Sequence, residues 1–169
     1  MANKESSQRP IAAVMAEHDR MHQTPVNKTL QWVYIPLLTF GLLGMIWAIP
    51  FPHLDFLGKY NGFVNWASFV IAFSIYYYYT LSPVLSYGIL LMIFASSAAI
   101  VGLEKLHSNH NWPSLGIVCA GIFFVGLVFQ LIGFSKEAKI PSFAAYIKSI
   151  LTNPIALMYL VFKKAGFRG

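Results

Sequence analysis

The chain has 169 residues, of which 57% are hydrophobic and only 11% charged, against about 25% charged in an ordinary soluble domain. So little polar side chain cannot cover a water-facing surface, which excludes a soluble globular protein and points to one membrane-embedded domain. The 12 Lys and Arg exceed the 6 Asp and Glu to give a net charge of +6, yet they form no basic stripe with interleaved aromatics, so nucleic acid is excluded as a partner.

Residues 1–30 are polar and mixed in charge, without the short apolar core or small-residue cleavage site of a secretory signal. Within them the apolar patch from Ile11 to Ala16 predicts a short cytoplasmic helix resting on the membrane face. Residues 31–169 read as a single transmembrane helical domain. A spanning helix needs roughly 20 mostly apolar residues, and spans are predicted at 32–50, 62–81, 84–103 and 114–134, none containing Asp, Glu, Lys or Arg. A further segment, 142–162, is interrupted by Lys148, Asn153 and Pro154. It is expected to lie along the surface or re-enter, with Lys148 reaching toward water, rather than to cross as a fifth span. The expected fold class is therefore all-α, an integral membrane helical bundle of four spans plus this C-terminal helix.

Along these spans the run "IYYYYTLSP", Ile75 to Pro83, sets tyrosines at a membrane interface, where the ring sits among headgroups and the hydroxyl stays wet. Ser82-Pro83 then predicts a tight turn between the second and third spans. The small residues of "ASSAA", Ala95 to Ala99, and the glycines at 116, 121 and 126 predict close helix packing. Cys119, the single cysteine, reads as a small buried apolar residue.

Lys and Arg near span ends favour the cytoplasmic side. Lys4, Arg9, Arg20, Lys28, Lys136 and Lys139 fall on the N-terminal side, against Lys59 and Lys105 on the other. If the last segment does not cross, Lys148, Lys163, Lys164 and Arg168 join the first group. The N-terminus is thus expected in the cytoplasm, with the basic tail touching anionic lipid.

The same topology divides the five histidines. His53, His107 and His110 fall on the far side, about 30 Å of hydrocarbon away from His18 and His22. In the far-side "EKLHSNH", Glu104, His107 and His110 recur every third residue, but Asn109, Asn111 and Pro113 predict a loop rather than a metal-binding helix face. His53, beside Pro52, shows no partner in the sequence. On the near side, His18 and His22 stand one helical turn apart and share a face, as two imidazole ligands would. With Glu137 from the end of the fourth span they could form a His/His/carboxylate trio suited to non-haem iron.

Two motifs carry a resemblance. "HQTPVNKTLQ", His22 to Gln31, and "QLIGFSKEAKIP", Gln130 to Pro141, resemble the paired signatures of the 2-hydroxy fatty acid dioxygenase family, small multi-pass membrane proteins. The closing "NPIALMYLVFKKAGF" is similar to that family's C-terminal segment. The resemblance implies iron(II)-dependent oxidation that shortens a 2-hydroxy fatty acid by one carbon, the fatty acid alpha-oxidation step, with histidines holding the iron. His22, Pro25 and Asn27 match the first motif, and Gln130, Gly133, Glu137 and Pro141 the second. Where the family has histidines, this chain has Gln31 and Phe134, and Thr24 stands where Asn precedes the proline. An amide oxygen is a poor donor for iron(II), and a phenyl ring has no lone pair to give.

The expectation is therefore a degenerate metal site with no bound cofactor, in an accessory subunit of a membrane complex or a lipid-associated membrane protein. Its alternative is an active iron(II) dioxygenase with a site rebuilt from His18, His22 and Glu137.

Overall fold

The computed structural model describes residues 3–56, 58, 64–110, 112–138 and 141–166, with the side chains of 3–9 left out. The chain is all-α. Among the described residues six helices follow one another: α1 Asn3–Met21, α2 Pro25–Trp47, α3 Trp66–Leu81, α4 Pro83–His110, α5 Leu115–Ser135 and α6 Phe143–Lys164. Lys59, Asn111, Lys139 and Arg168, used above to read topology or local structure, lie outside the described residues.

Helices α2 to α5 run up and down. The start of α2 meets the end of α5, where Gly133 lies against Asn27, and the end of α2 meets the start of α5, where Gly44 lies against Cys119. Local chemistry sets their ends. Thr24 caps α2, accepting from the Asn27 backbone N–H, and Pro25 follows in the first turn, where its missing N–H costs nothing. A reciprocal Asn65–Ser68 capping box starts α3, and Ser82-Pro83 joins it to α4.

Helices α2, α4, α5 and α6 are each long and apolar enough to cross a membrane. With 16 residues, α3 is about 24 Å long, shorter than the hydrocarbon layer. It nonetheless reaches from the Trp66 indole, which donates to the Pro50 carbonyl at 3.2 Å, to the Tyr78 hydroxyl at the opposite end. All four predicted spans are thus present as helices, although the second begins at 66 rather than 62. The predicted boundary at 31 falls inside α2, and the N-terminal helix is longer than its apolar patch implied.

Although α6 has the length of a span, its contacts fall at one end of the bundle. Near its start the Tyr146 ring lies 6.0 Å from that of Phe134, close to the end of α5. In its middle the Leu151 carbonyl accepts from Tyr78, close to the end of α3, at 2.7 Å. Farther on, a Cβ added to Gly88 in the second turn of α4 would lie 3.0 Å from Phe162. At its last turn the Lys164 ammonium sits 4.3 Å from the centre of the Trp32 ring near the start of α2. A helix spanning in register would meet both ends of its neighbours. Both termini of α6 meet the same end, so it lies across the bundle, its buried centre Thr152–Leu157 closing that end.

The tightest seam is α2 on α5. A Cβ at Gly41 would come within 2.7 Å of Phe123, and one at Gly44 would collide with the Cys119 sulfur. Dispersion from such close approach replaces the hydrophobic drive that lipid removes. Cys119 is buried there with a free thiol. Two packing expectations need correction. A Cβ added at Gly121 would meet no atom within 4 Å, and Ala95, Ala98 and Ala99 are exposed on the outer side of α4. Both sit on the exposed outer surface of the bundle, whereas the small residues in close contact are those facing the α2–α5 seam.

Candidate functional site

The turn between α1 and α2 brings the two motifs together. His22 is 1% exposed, and each ring nitrogen has a partner. Nδ1 lies 2.8 Å from the His18 carbonyl, which can only accept, so Nδ1 carries the proton. The bare Nε2 then accepts from the Tyr34 hydroxyl, 2.5 Å away. Burial, reinforced by the neighbouring His18, lowers the His22 pKa to about 4, so the ring is neutral at physiological pH. Phe134 lies against the same ring at 5.6 Å between centroids, in the place where the resemblance predicts a ligand.

Glu137 is turned to a different task. One of its carboxylate oxygens accepts from the Gln23 N–H at 3.0 Å, the Thr24 N–H at 3.1 Å, the Thr24 hydroxyl at 2.9 Å and the Asn27 amide at 2.9 Å. These donors surround the N-terminus of α2, where the helix dipole favours negative charge. Partial burial pushes the Glu137 pKa up, but hydrogen bonds from Asn27, Thr24 and Gln23 together outweigh it and hold the carboxyl below its ordinary range. The carboxylate is a clasp joining the end of α5 to the start of α2.

Asn27 completes the clasp. Fully buried, it also donates to the Met21 carbonyl at 3.1 Å, while its own oxygen faces the Tyr34 hydroxyl at 3.4 Å. A Cβ at position 133 would strike that Asn27 oxygen, so the glycine of the second motif makes room for the asparagine of the first. Pro25 opens the helix that presents Asn27, and Pro141 lies beyond the clasp beside Phe134 and Tyr146. Gln130 is fully buried in α5, and its amide has no hydrogen-bond partner among the described residues.

His18 stacks on His22, ring centroids 4.1 Å apart and planes 15° from parallel. It is 3% exposed, and its polar neighbours are the Asp19 carboxylate and the Gln31 side chain, neither in a well-formed hydrogen bond to the ring. Asp19 lies 3.7 Å away, and burial lowers the His18 pKa despite that carboxylate. Gln31 is also buried; its amide N–H₂ donates to the Lys28 carbonyl at 3.0 Å, which leaves the amide oxygen as the acceptor next to the His18 ring.

The residues of both motifs therefore meet at one end of the bundle, each with hydrogen-bond or ring contacts of its own. His22 has spent both nitrogens, Glu137 is engaged by four donors, and Phe134 offers no lone pair. Among the described residues no group of three or more His, Cys, Asp or Glu is placed to hold a metal ion. Tyr34 escaped the sequence reading, as did Gln23 as a donor to the clasp. The signal was there: Asn27, Gln31 and Tyr34 follow at helical spacing on the face of α2 that also buries Ile35 and Leu38.

The far-side histidines are differently placed. Contrary to the loop expected there, α4 continues through His110, and Glu104, His107 and His110 are all exposed. The His107 ring contacts the Trp112 carbonyl. His53, which seemed to lack a partner in the sequence, lies 3.8 Å from the exposed Asp55.

No family model, curated protein or solved structure matches this chain.

Proposed function

We propose that this is a multi-pass membrane protein with the scaffold of a 2-hydroxy fatty acid dioxygenase but without its iron chemistry, serving as a lipid-associated component or accessory subunit of a membrane complex. The observation that carries the reading is the use of His22. Its protonated nitrogen is spent on the His18 carbonyl and its lone pair on Tyr34, so binding a metal there requires breaking a buried hydrogen bond. Glu137 strengthens the case, because one of its two oxygens is already committed to the start of α2.

The N-terminus belongs on the cytoplasmic side in this reading. Arg20, Lys28 and Lys136 lie at the clasp end, and because α6 lies across that end, Lys148, Lys163 and Lys164 join them. Such a basic end suits the anionic cytoplasmic leaflet.

One observation favours the alternative of an active enzyme: His18 stacks on His22 with neither ring nitrogen in a well-formed hydrogen bond among the described residues. Anaerobic reconstitution with iron(II) separates the two. The expected result is iron at background, equal in wild type and His22→Ala. About one iron per chain in wild type, lost in His22→Ala, would establish a rebuilt site and overturn the non-catalytic reading.

A further inference from the structure

Helices α3 and α4 pack on each other more closely than either packs on α2. The gap this leaves inside the bundle is a cavity of about 100 Å³. Leu43 of α2, Ile71 of α3 and Ile89 of α4 stand in its walls, and Leu151 and Pro154 of α6 close it at the clasp end. The Tyr78 hydroxyl fastens that roof by donating to the Leu151 carbonyl at 2.7 Å. Along α2 the wall runs from Thr39 to Ile46, a rise of about 10 Å.

The lining offers little to a polar ligand. No Asp, Glu, Lys, Arg or His stands among its described residues. The Thr39 hydroxyl donates to the Ile35 carbonyl at 2.8 Å within its own helix, and that of Tyr78 is taken by Leu151. Ser74, midway along α3, adds the one other hydroxyl. An apolar cavity does not retain water, and one left empty forfeits the dispersion contacts of its walls. Its mouth decides what fills it. Val70 is exposed at the edge on α3, and Thr39 and Leu42 are half-buried on α2, so the cavity opens sideways between the two helices. That mouth lies along the apolar stretch of α2, within the hydrocarbon layer.

We propose that this cavity holds the end of one acyl chain of a bilayer phospholipid, inserted sideways between α2 and α3 while its headgroup stays outside. An intact lipid is favoured over a free fatty acid, because no cation lines the cavity to hold a carboxylate. A chain seated there joins the α3–α4 pair to α2 across the gap that their own side chains leave. The proposal deepens the lipid-associated reading above and rests on it.

The test is photolabelling of the full-length protein in phosphatidylcholine vesicles, using a phosphatidylcholine with a diazirine at its chain end. Labelled residues are located by mass spectrometry. Leu43 and Ile89 are buried, so label on them comes from within the cavity, whereas Leu91 and Phe94 on the outer face of α4 report the surrounding lipid. The expected result is saturable labelling of Leu43 and Ile89. It should be lost in Ser74→Leu and in Ile71→Phe, which fill the cavity, with labelling of Leu91 and Phe94 unchanged. Label confined to the outer face, or cavity labelling that persists in both variants, would overturn the proposal. Displacement by a free fatty acid but not by unlabelled phosphatidylcholine would overturn it in favour of the free acid. If a filled variant fails to fold, the position of the label in the wild type still decides. Label on Leu91 and Phe94 reports embedding in lipid by itself, so failure of this cavity stays distinct from failure of the lipid-associated reading.

Discussion

The two ends of the bundle carry similar side chains and do different things with them. At the end where α2 starts, His22, Asn27, Tyr34 and Glu137 form a connected, largely buried set in which nearly every donor meets an acceptor. At the other, His53, Glu104, His107 and His110 are exposed, with His53 near Asp55 and the His107 ring against the Trp112 carbonyl. A histidine and a carboxylate near a membrane interface are therefore uninformative by themselves. What separates the ends is helix docking. The tight α2–α5 seam carries the polar groups of one end into a shared interior, whereas at the other the polar side chains of α4 stay at the surface.

Mutations should expose that difference. The largest effect is expected from Gly133→Ala, because the added methyl strikes Asn27 and loosens the clasp; a loss of roughly 3 kcal/mol should appear as a lowered unfolding midpoint in detergent. Glu137→Ala removes the shared acceptor of four donors and should cost about 2 kcal/mol, less than a fully buried ion because water can reach part of the carboxylate.

Acid should act on the same end. The unfolded chain protonates His22 near pH 6.5, whereas the folded ring resists until about 4. Between those values the unfolded state binds more protons, so stability falls as pH drops, by at most about 1.4 kcal/mol per unit for this group. The Glu137 pKa is depressed in the fold, so its clasp is fully present above pH 4.5 and is lost below that. Both contributions run the same way, and thermal unfolding across pH 7 to 4 should show a decline that flattens in His22→Ala.

Tyr34→Phe should cost about 1 kcal/mol by leaving the His22 lone pair without its donor. The smallest effect belongs to the far end, where Glu104→Ala and His110→Ala should each stay within about 0.5 kcal/mol of wild type. A far-end loss comparable to that of Glu137→Ala would erase the contrast between the ends.

Much of the fold was legible because lipid simplifies the code: uninterrupted apolar runs of the right length are helices. The orientation of α6 was harder. Its hydropathy suits a span, Lys148, Asn153 and Pro154 argued for a surface or re-entrant segment, and the contacts of both its termini with one end show that it lies across. The candidate site was half legible. Motif spacing brought Asn27, Gly133 and Glu137 into one place, but could not reveal which atoms face one another. Glu137 reads as a ligand in the sequence and as a helix clasp in the structure, because the start of α2 presents four donors that no pattern of residue types displays. Gly41 and Gly44, which make the main seam, drew no notice, while the more conspicuous "ASSAA" faces outward.

The most direct measurement is the protonation and ligation state of His22, read from long-range proton–nitrogen correlations of nitrogen-labelled histidine in the detergent-solubilised protein. The account predicts a neutral ring with the proton on Nδ1 and a bare, hydrogen-bonded Nε2, unchanged when one equivalent of iron(II) is added anaerobically. Selective broadening of the His22 and His18 ring signals at that stoichiometry, with Tyr34→Phe making it stronger, would contradict it and identify the stacked histidines as a working metal site.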